Sequence, residues 1–337
     1  MSPAPAPAAR RRATIGLALL LALLIAAPYG VNDYVLSVLI LVLYQAYVGQ
    51  AWNVMMGFAG QLSLGHSLYV GLGAYASAAL FVKFGIGPAL GLWAAVAVSV
   101  AAGMAIGFLA FRFHIGGTYF ALLTIACAEF TRIGFDHLNW VGGSGGYFLP
   151  VAQRTQSDLL NLRGTPAMFY YVLLAMTAGA FLLCERLLRS RVGYYWLALR
   201  EDPDAAQALG IHAFRYRMLA MALSSGLTAL GGVFFAFYYN NLFPEQIFNM
   251  GRSIELSLGP IVGGLGSLFG PILGAFVLTV LAELLRAGMD ALKLEIPGAT
   301  QFFYGFCLLF VVMFLPQGIW PRLKERLGLG AGPPEER

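Results

Sequence analysis

The chain has 337 residues, of which 59% are hydrophobic and only 11% charged, with a formal net charge of +5. A soluble domain carries roughly a quarter charged residues, so this balance argues against a water-solvated globule and for a bilayer as the solvent. The positive excess forms no basic, aromatic-interleaved stripe of the kind that stacks bases, so no nucleic-acid partner is expected.

In chain order, "MSPAPAPAARRR" at 1–12 reads as a disordered basic tail, and an apolar segment follows at about Ala13–Tyr29. A basic region before an apolar run is also how a signal peptide reads, but further membrane segments follow directly, so an uncleaved first helix is simpler. The second segment is about Val35–Met56, and the glycine-rich patch "GFAGQLSLGHSLYVGLGAY" leads into a third that ends near Phe81. A fourth covers about Pro88–Phe111 and a fifth Thr118–Phe135; a polar region at about 136–166 precedes a sixth at Ala167–Leu187. A charged loop at about 188–217 leads to a seventh segment at Met218–Tyr239. Ser253–Leu285 is too long for one plain crossing of about 20 residues. "GGLGS" at Gly263–Ser267 is a turn signal that splits it. The last segment is about Thr300–Leu315. The expected fold is all-α: a polytopic transmembrane helical bundle of about 8–10 segments, some short or broken.

Charge tests this count. With the N-terminus inside, the inner loops hold Arg10, Arg11, Arg12, Arg112, Arg186, Arg189, Arg191, Arg200, Arg215 and Arg217. The outer ones hold Lys83, Arg154, Arg163, Arg252, Arg286 and Lys293. This is the positive-inside bias, and an even number of segments keeps the basic tail with Arg322, Lys324 and Arg326 inside. A transmembrane unit at 13–320 therefore carries an external loop at about 136–166, a cytoplasmic loop at about 188–217 and a cytoplasmic tail at 321–337. Both termini face the cytoplasm.

Cys127, Cys184 and Cys307 have no CxxC spacing, so neither a disulfide framework nor a zinc site is argued. No Walker A loop, H-E-x-x-H or G-x-S-x-G is present. No catalytic, cofactor-binding or metal-binding residue is assigned, and the chain is not read as an enzyme.

The charged loop holds one polar helix. Asp202 can cap it, with Pro203 at its first position, Asp204 in its first turn, Ala205 and Ala206 following, and Gly210 ending it in the left-handed conformation. So short a helix needs something to pack on, and it suits either a docking knob or an interfacial loop. Gln61, Ser63, His66 and Ser67 lie among glycines that permit an interrupted helix, and so form a candidate translocation path; ordinary helix packing is the alternative. Glu129 with Arg132, Glu255 with Arg252 and Glu283 with Arg286 are spaced to pair on one helix face; for Glu129 and Arg132 a structural pair and a substrate contact both stand, and for Glu255 and Arg252 structural pairing is the better reading.

Asp204–Gly210, "DAAQALG", resembles the EAA-x3-G coupling motif of ABC importer permeases, with Asp in place of Glu. "GFAGQLSLGHSLYVGLGAY", "GGTYFALLTIACAEFTR", "GGSGG", "SIELSLGPIVGGLGSLFGPILGA" and "FLPQGI" then follow, in order, the text of LivM-type permeases of branched-chain amino acid importers. The resemblance covers about residues 15–320. It implies an inner-membrane permease subunit paired with a second, LivH-like permease. Two cytoplasmic ATP-binding subunits would lie beneath, and an external binding protein would deliver a branched-chain or other hydrophobic amino acid. ATP would bind on the partners and no cofactor in this chain, and Asp202–Gly210 would be the coupling helix. The Leu-Pro pair that often follows the general motif is absent, "MALSS" standing in its place, and the text around Leu256–Pro260 departs from the family's. Urea or short amides as cargo, and a stand-alone secondary transporter or channel, are the competing readings. The last would want ion-coupling charges at mid-membrane.

Overall fold

The computed structural model describes residues 22–150, 158, 160–292, 298–315 and 317–326. The expected tail at 1–12 and the start of the first apolar segment lie outside these residues. Helix α1 is described over 22–30. Then come α2 (Asp33–Asn53) with a π-turn (Val54–Phe58), α3 (His66–Phe84), α4 (Pro88–Arg112), α5 (Gly117–Asp136) and α6 (Pro166–Leu188). The short α7 (Arg191–Glu201) and α8 (Pro203–Ala208) lead to the long α9 (Ala213–Tyr239). After α10 (Pro244–Ile247) come α11 (Met250–Gly263), α12 (Gly270–Ala291), α13 (Ala299–Phe314) and α14 (Ile319–Arg326).

The ends of these helices follow from side chains that meet orphan backbone groups. Asn32 accepts the Val35 N–H at 2.9 Å and starts α2. Pro88 and Pro166 occupy the first turns of α4 and α6, where no N–H is needed. Asn240 adopts a left-handed φ of 60° and stops α9.

Among the described residues six helices, α2, α3, α4, α6, α9 and α12, are long and apolar enough to cross a membrane. The fold is the expected polytopic helical bundle. Helix α5 carries Glu129, Arg132 and Asp136, while α11 and α13 are short. Helix α9 runs through the middle and packs chiefly on α3 and α4; α2 packs on α12 and α6. A Cβ at Gly232 would collide with the Val70 carbonyl, and one at Gly73 with that of Ala229, so α3 and α9 meet backbone to backbone. On the outside of the bundle α4 exposes Leu90, Trp93, Val98, Phe108 and Leu109, a face suited to lipid.

Contacts sort the connections to two opposite ends. At one end the π-turn, α7, α8, the turn between α11 and α12, and the start of α14 gather: Arg200 bonds Gly57, Asn53 bonds Gly266, and Gly264 lies against Pro321. At the other, Tyr147–Phe148 (β1) pairs antiparallel with Asn241–Leu242 (β2) beside α10. There too the Ala89 N–H reaches the Leu160 carbonyl at 3.3 Å, and the Tyr170 hydroxyl that of Leu24 at 2.7 Å. With residues 22–30, α5, α11 and α13 added to the long helices, the chain alternates between these ends.

The expected glycine turn is present between α11 and α12. Pro260 does not break α11, which continues to Gly263. Several elements differ from expectation, among them α12, which runs to Ala291 and so past the expected end at Leu285. Helix α9 begins five positions before Met218, because its polar first turns reach beyond the apolar stretch. Helix α7 is separate and was not foreseen, and α14 occupies the start of the expected tail.

Candidate functional site

Helix α8 has both ends closed by its own chain. Asp202 Oδ1 accepts the N–H groups of Asp204 at 2.9 Å and Ala205 at 3.0 Å. At the far end Gly210 has a φ of +87°, its N–H reaches the Gln207 carbonyl at 2.9 Å, and the Ile211 N–H reaches that of Ala206 at 3.1 Å. This pair of bonds is a Schellman closure, which needs the left-handed residue that glycine supplies at no steric cost. Ala206 is buried in a small apolar cluster with Leu199 and Ala213, which seats α8 on α7 and α9. Asp204, Ala205, Gln207 and Ala208 are exposed, and Leu209 is 83% exposed. The result is a short, rigid, outward-facing knob.

The knob is tied to the bundle. The Trp196 indole N–H of α7 donates to the Tyr216 carbonyl of α9 at 2.8 Å. Arg200, at the end of α7, donates through Nη1 to the Gly57 carbonyl in the π-turn at 2.6 Å. In that turn the hydrogen bonds lengthen past i+4, as in Ala59 N–H to Val54 at 3.2 Å. Asn53, just before it, accepts the Gly266 N–H and donates to the Ser267 carbonyl, both at 3.0 Å. Arg200 and Asn53 therefore join α7, the end of α2 and the α11–α12 turn at one junction. Sequence reading missed this junction, because the contacts that make it span 143 and 213 positions, and the only local partner Arg200 shows is the neighbouring Glu201 at 2.8 Å.

The predicted polar patch is buried throughout. Ser224 donates its only hydroxyl hydrogen to the Ala51 carbonyl at 2.7 Å, so at 2.8 Å it accepts from His66 Nε2–H. His66 Nδ1 then accepts from Ser63 Oγ at 3.0 Å. Ser67 donates to the Phe248 carbonyl at 3.1 Å, and Ser253 donates to Ser67 at 2.7 Å. The Trp52 indole N–H holds the Ser63 carbonyl at 2.7 Å, and Thr124 accepts the Leu64 N–H at 3.1 Å. Gln61 stands apart from this group: its side chain reaches the Ala59 carbonyl at 3.3 Å through Nε2, and its Oε1 has no partner among the described residues. The interruption before α3 thus leaves backbone groups that α2, α5 and α11 satisfy through Trp52, Thr124 and Ser253, while α9 holds the His66 ring through Ser224.

The three predicted ion pairs all form, and Arg132 takes a second carboxylate. Arg132 bonds Glu129 at 2.6 Å and Asp136 at 2.8 Å, Arg252 bonds Glu255 at 3.0 Å, and Arg286 bonds Glu283 at 2.8 Å.

With this geometry in place, comparison with known proteins is informative. Residues 34–312 match the family described as "Branched-chain amino acid transport system / permease component". The high-affinity branched-chain amino acid transport system permease protein LivM of Escherichia coli (strain K12) is 29% identical over 94% of this chain and 77% of its own. A probable branched-chain amino acid transport permease protein LivM of Methanocaldococcus jannaschii is 24% identical over 81% of this chain and 84% of its own. An autoinducer 2 import system permease protein LsrC of Klebsiella pneumoniae is 33% identical over 42% of this chain and 41% of its own. No solved structure matches.

Proposed function

Since this chain belongs to the family of branched-chain amino acid transport system permease components, we propose that it is the membrane-spanning subunit of an ATP-driven importer for branched-chain or other hydrophobic amino acids. The exposed, doubly capped α8 carries this reading. A knob of six residues, capped by Asp202 and Gly210 and seated by Ala206, turns Asp204, Ala205, Gln207 and Ala208 outward from the bundle. It fits a groove on an ATP-binding subunit. ATP bound there would close the ATPase pair, and α8 would pass that movement through α7 and Arg200 to the π-turn and the α11–α12 turn. The end bearing α8 then faces the cytoplasm together with both termini, in the inner membrane. The opposite end, with β1, β2 and α10, receives an external binding protein. A second, LivH-like permease completes the pore.

The test is an affinity pull-down of the tagged chain from its native membrane in mild detergent, read by mass spectrometry. Recovery of an ATP-binding subunit and a second permease is expected. Recovery of the chain alone, in detergent that keeps known complexes intact, would point to a stand-alone transporter.

A further inference from the structure

The Arg252–Glu255 pair stands in the first turns of α11, at the end of the bundle opposite α8. Its side chains are only 18% and 23% exposed. The guanidinium lies over two rings, 5.7 Å from the centroid of Tyr44 and 5.5 Å from that of Phe235. Gln45 donates to Glu255 Oε1 at 2.7 Å. Two groups beside the pair are unfinished: the Tyr44 hydroxyl and Gln45 Oε1 are buried without a hydrogen-bond partner among the described residues. Buried polar groups are costly to leave unmade, so the cluster has spare capacity for a polar guest.

The pair lies behind a layer of rings that borders an open cleft. A cleft of about 290 Å³, lined by Ser37, Arg163, Tyr239 and Asn240 among others, opens at this end. Tyr239 packs on Phe235 with centroids 4.5 Å apart, and Phe235 lies under Arg252. Two rings therefore separate the cleft from the guanidinium. Beyond the pair, Gln45, Glu255, Thr279 and Tyr304 surround a gap of only about 10 Å³. A guest arriving from the cleft would reach the pair once Tyr239 and Phe235 swing aside, and would stop there until α11 and α12 part.

We propose that Arg252 and Glu255 receive a zwitterionic cargo, the guanidinium taking its carboxylate and Glu255 its ammonium. This rests on the importer reading and adds which two residues of this chain meet the two charges of the cargo. An uncompensated ion is expensive in a low-dielectric interior. A zwitterion entering a ready-made ion pair breaks one pair and makes two, so no charge is left alone at any stage. A lone Arg or a lone Glu would compensate only half of the guest. A neutral amide has nothing to exchange with the pair.

The test uses the whole importer, this chain with its second permease and ATP-binding subunits, in proteoliposomes with the external binding protein. Uptake of radiolabelled leucine and of urea is measured for wild type, Arg252→Gln, Glu255→Gln and the double variant, each checked for intact assembly by size-exclusion chromatography. The single variants strand a charge and can fail for structural reasons alone, so the double variant decides. It removes both charges and keeps hydrogen-bonding side chains of similar length. The expected result is an assembled double variant with leucine uptake reduced tenfold or more. Leucine uptake within twofold of wild type would overturn the proposal and assign the pair to structure, leaving the importer reading intact. A wild-type complex that imports urea and not leucine would overturn the proposal through its cargo. Failure of the wild-type chain to assemble with an ATPase would instead overturn the importer reading beneath it.

Discussion

Arg200 and Gly57 are 143 positions apart in the chain and are joined by a 2.6 Å hydrogen bond from a guanidinium to a π-turn carbonyl. The bond connects the short helix before the exposed knob to the only described π-turn among the membrane helices. Arg200→Ala should leave the knob folded, since Asp202 and Gly210 close it independently. The expected outcome is an importer that still binds its ATPase but transports several-fold less cargo per ATP hydrolysed. Parallel uptake and phosphate-release assays check this; an unchanged ratio would remove Arg200 from the transmission route.

Gly210 holds φ at +87°, a conformation that costs a β-branched residue about 1–3 kcal/mol. Gly210→Val should reshape the end of α8 and weaken ATPase docking, whereas Gly210→Asn should be milder, because Asn visits this region more readily. Co-purification of the ATP-binding subunit measures both. Equal recovery with Val and with wild type would contradict the docking role.

Asp202→Ala removes the acceptor of two N–H groups at the start of the same helix. Cap losses of this kind cost about 1 kcal/mol. Hydrogen exchange at Asp204 and Ala205 should quicken several-fold, with no change in the protection of α9.

His66→Ala deletes two hydrogen bonds to buried hydroxyls and opens a cavity beside Trp52 and Tyr69, whose rings lie 6.5 Å and 5.5 Å from that of His66. The combined loss is about 3 kcal/mol. A clear fall in the thermal midpoint of the detergent-solubilised chain is expected. An unchanged midpoint would mean that the interruption before α3 is held by other contacts.

Ser144 and Ala208 are both exposed and lie at opposite ends of the bundle. In intact cells or right-side-out vesicles, a membrane-impermeant thiol reagent should label Ser144→Cys and spare Ala208→Cys. The reverse pattern would invert the proposed orientation.

Much of this was legible in the sequence. Asp202, Pro203 and Gly210 mark α8 because capping is a local matter, settled within one turn of chain. The "GGLGS" turn was legible for a similar reason, whereas the burial of Ser63, His66 and Ser67 depends on partners from distant helices and was left open between a path and packing. The junction was not. The π-turn at Val54–Phe58 carries no composition signal, and Arg200 finds its acceptor only when α2 and α7 are brought together by the fold. Nor does spacing show that Arg252 lies over Tyr44 and Phe235, since those rings come from α2 and α9. Helix pairing gives ion pairs at three and four residues; it says nothing of what stands above them.

The chain of contacts through His66 has a further meaning. It runs from Ser63 through the imidazole to Ser224 and finishes on the Ala51 carbonyl, an amide oxygen that does not take up a proton near neutral pH. Both ring nitrogens are engaged and the line ends on backbone. This segment therefore bridges a broken crossing with polar groups whose line of hydrogen bonds closes on the backbone instead of leading onward through the bundle.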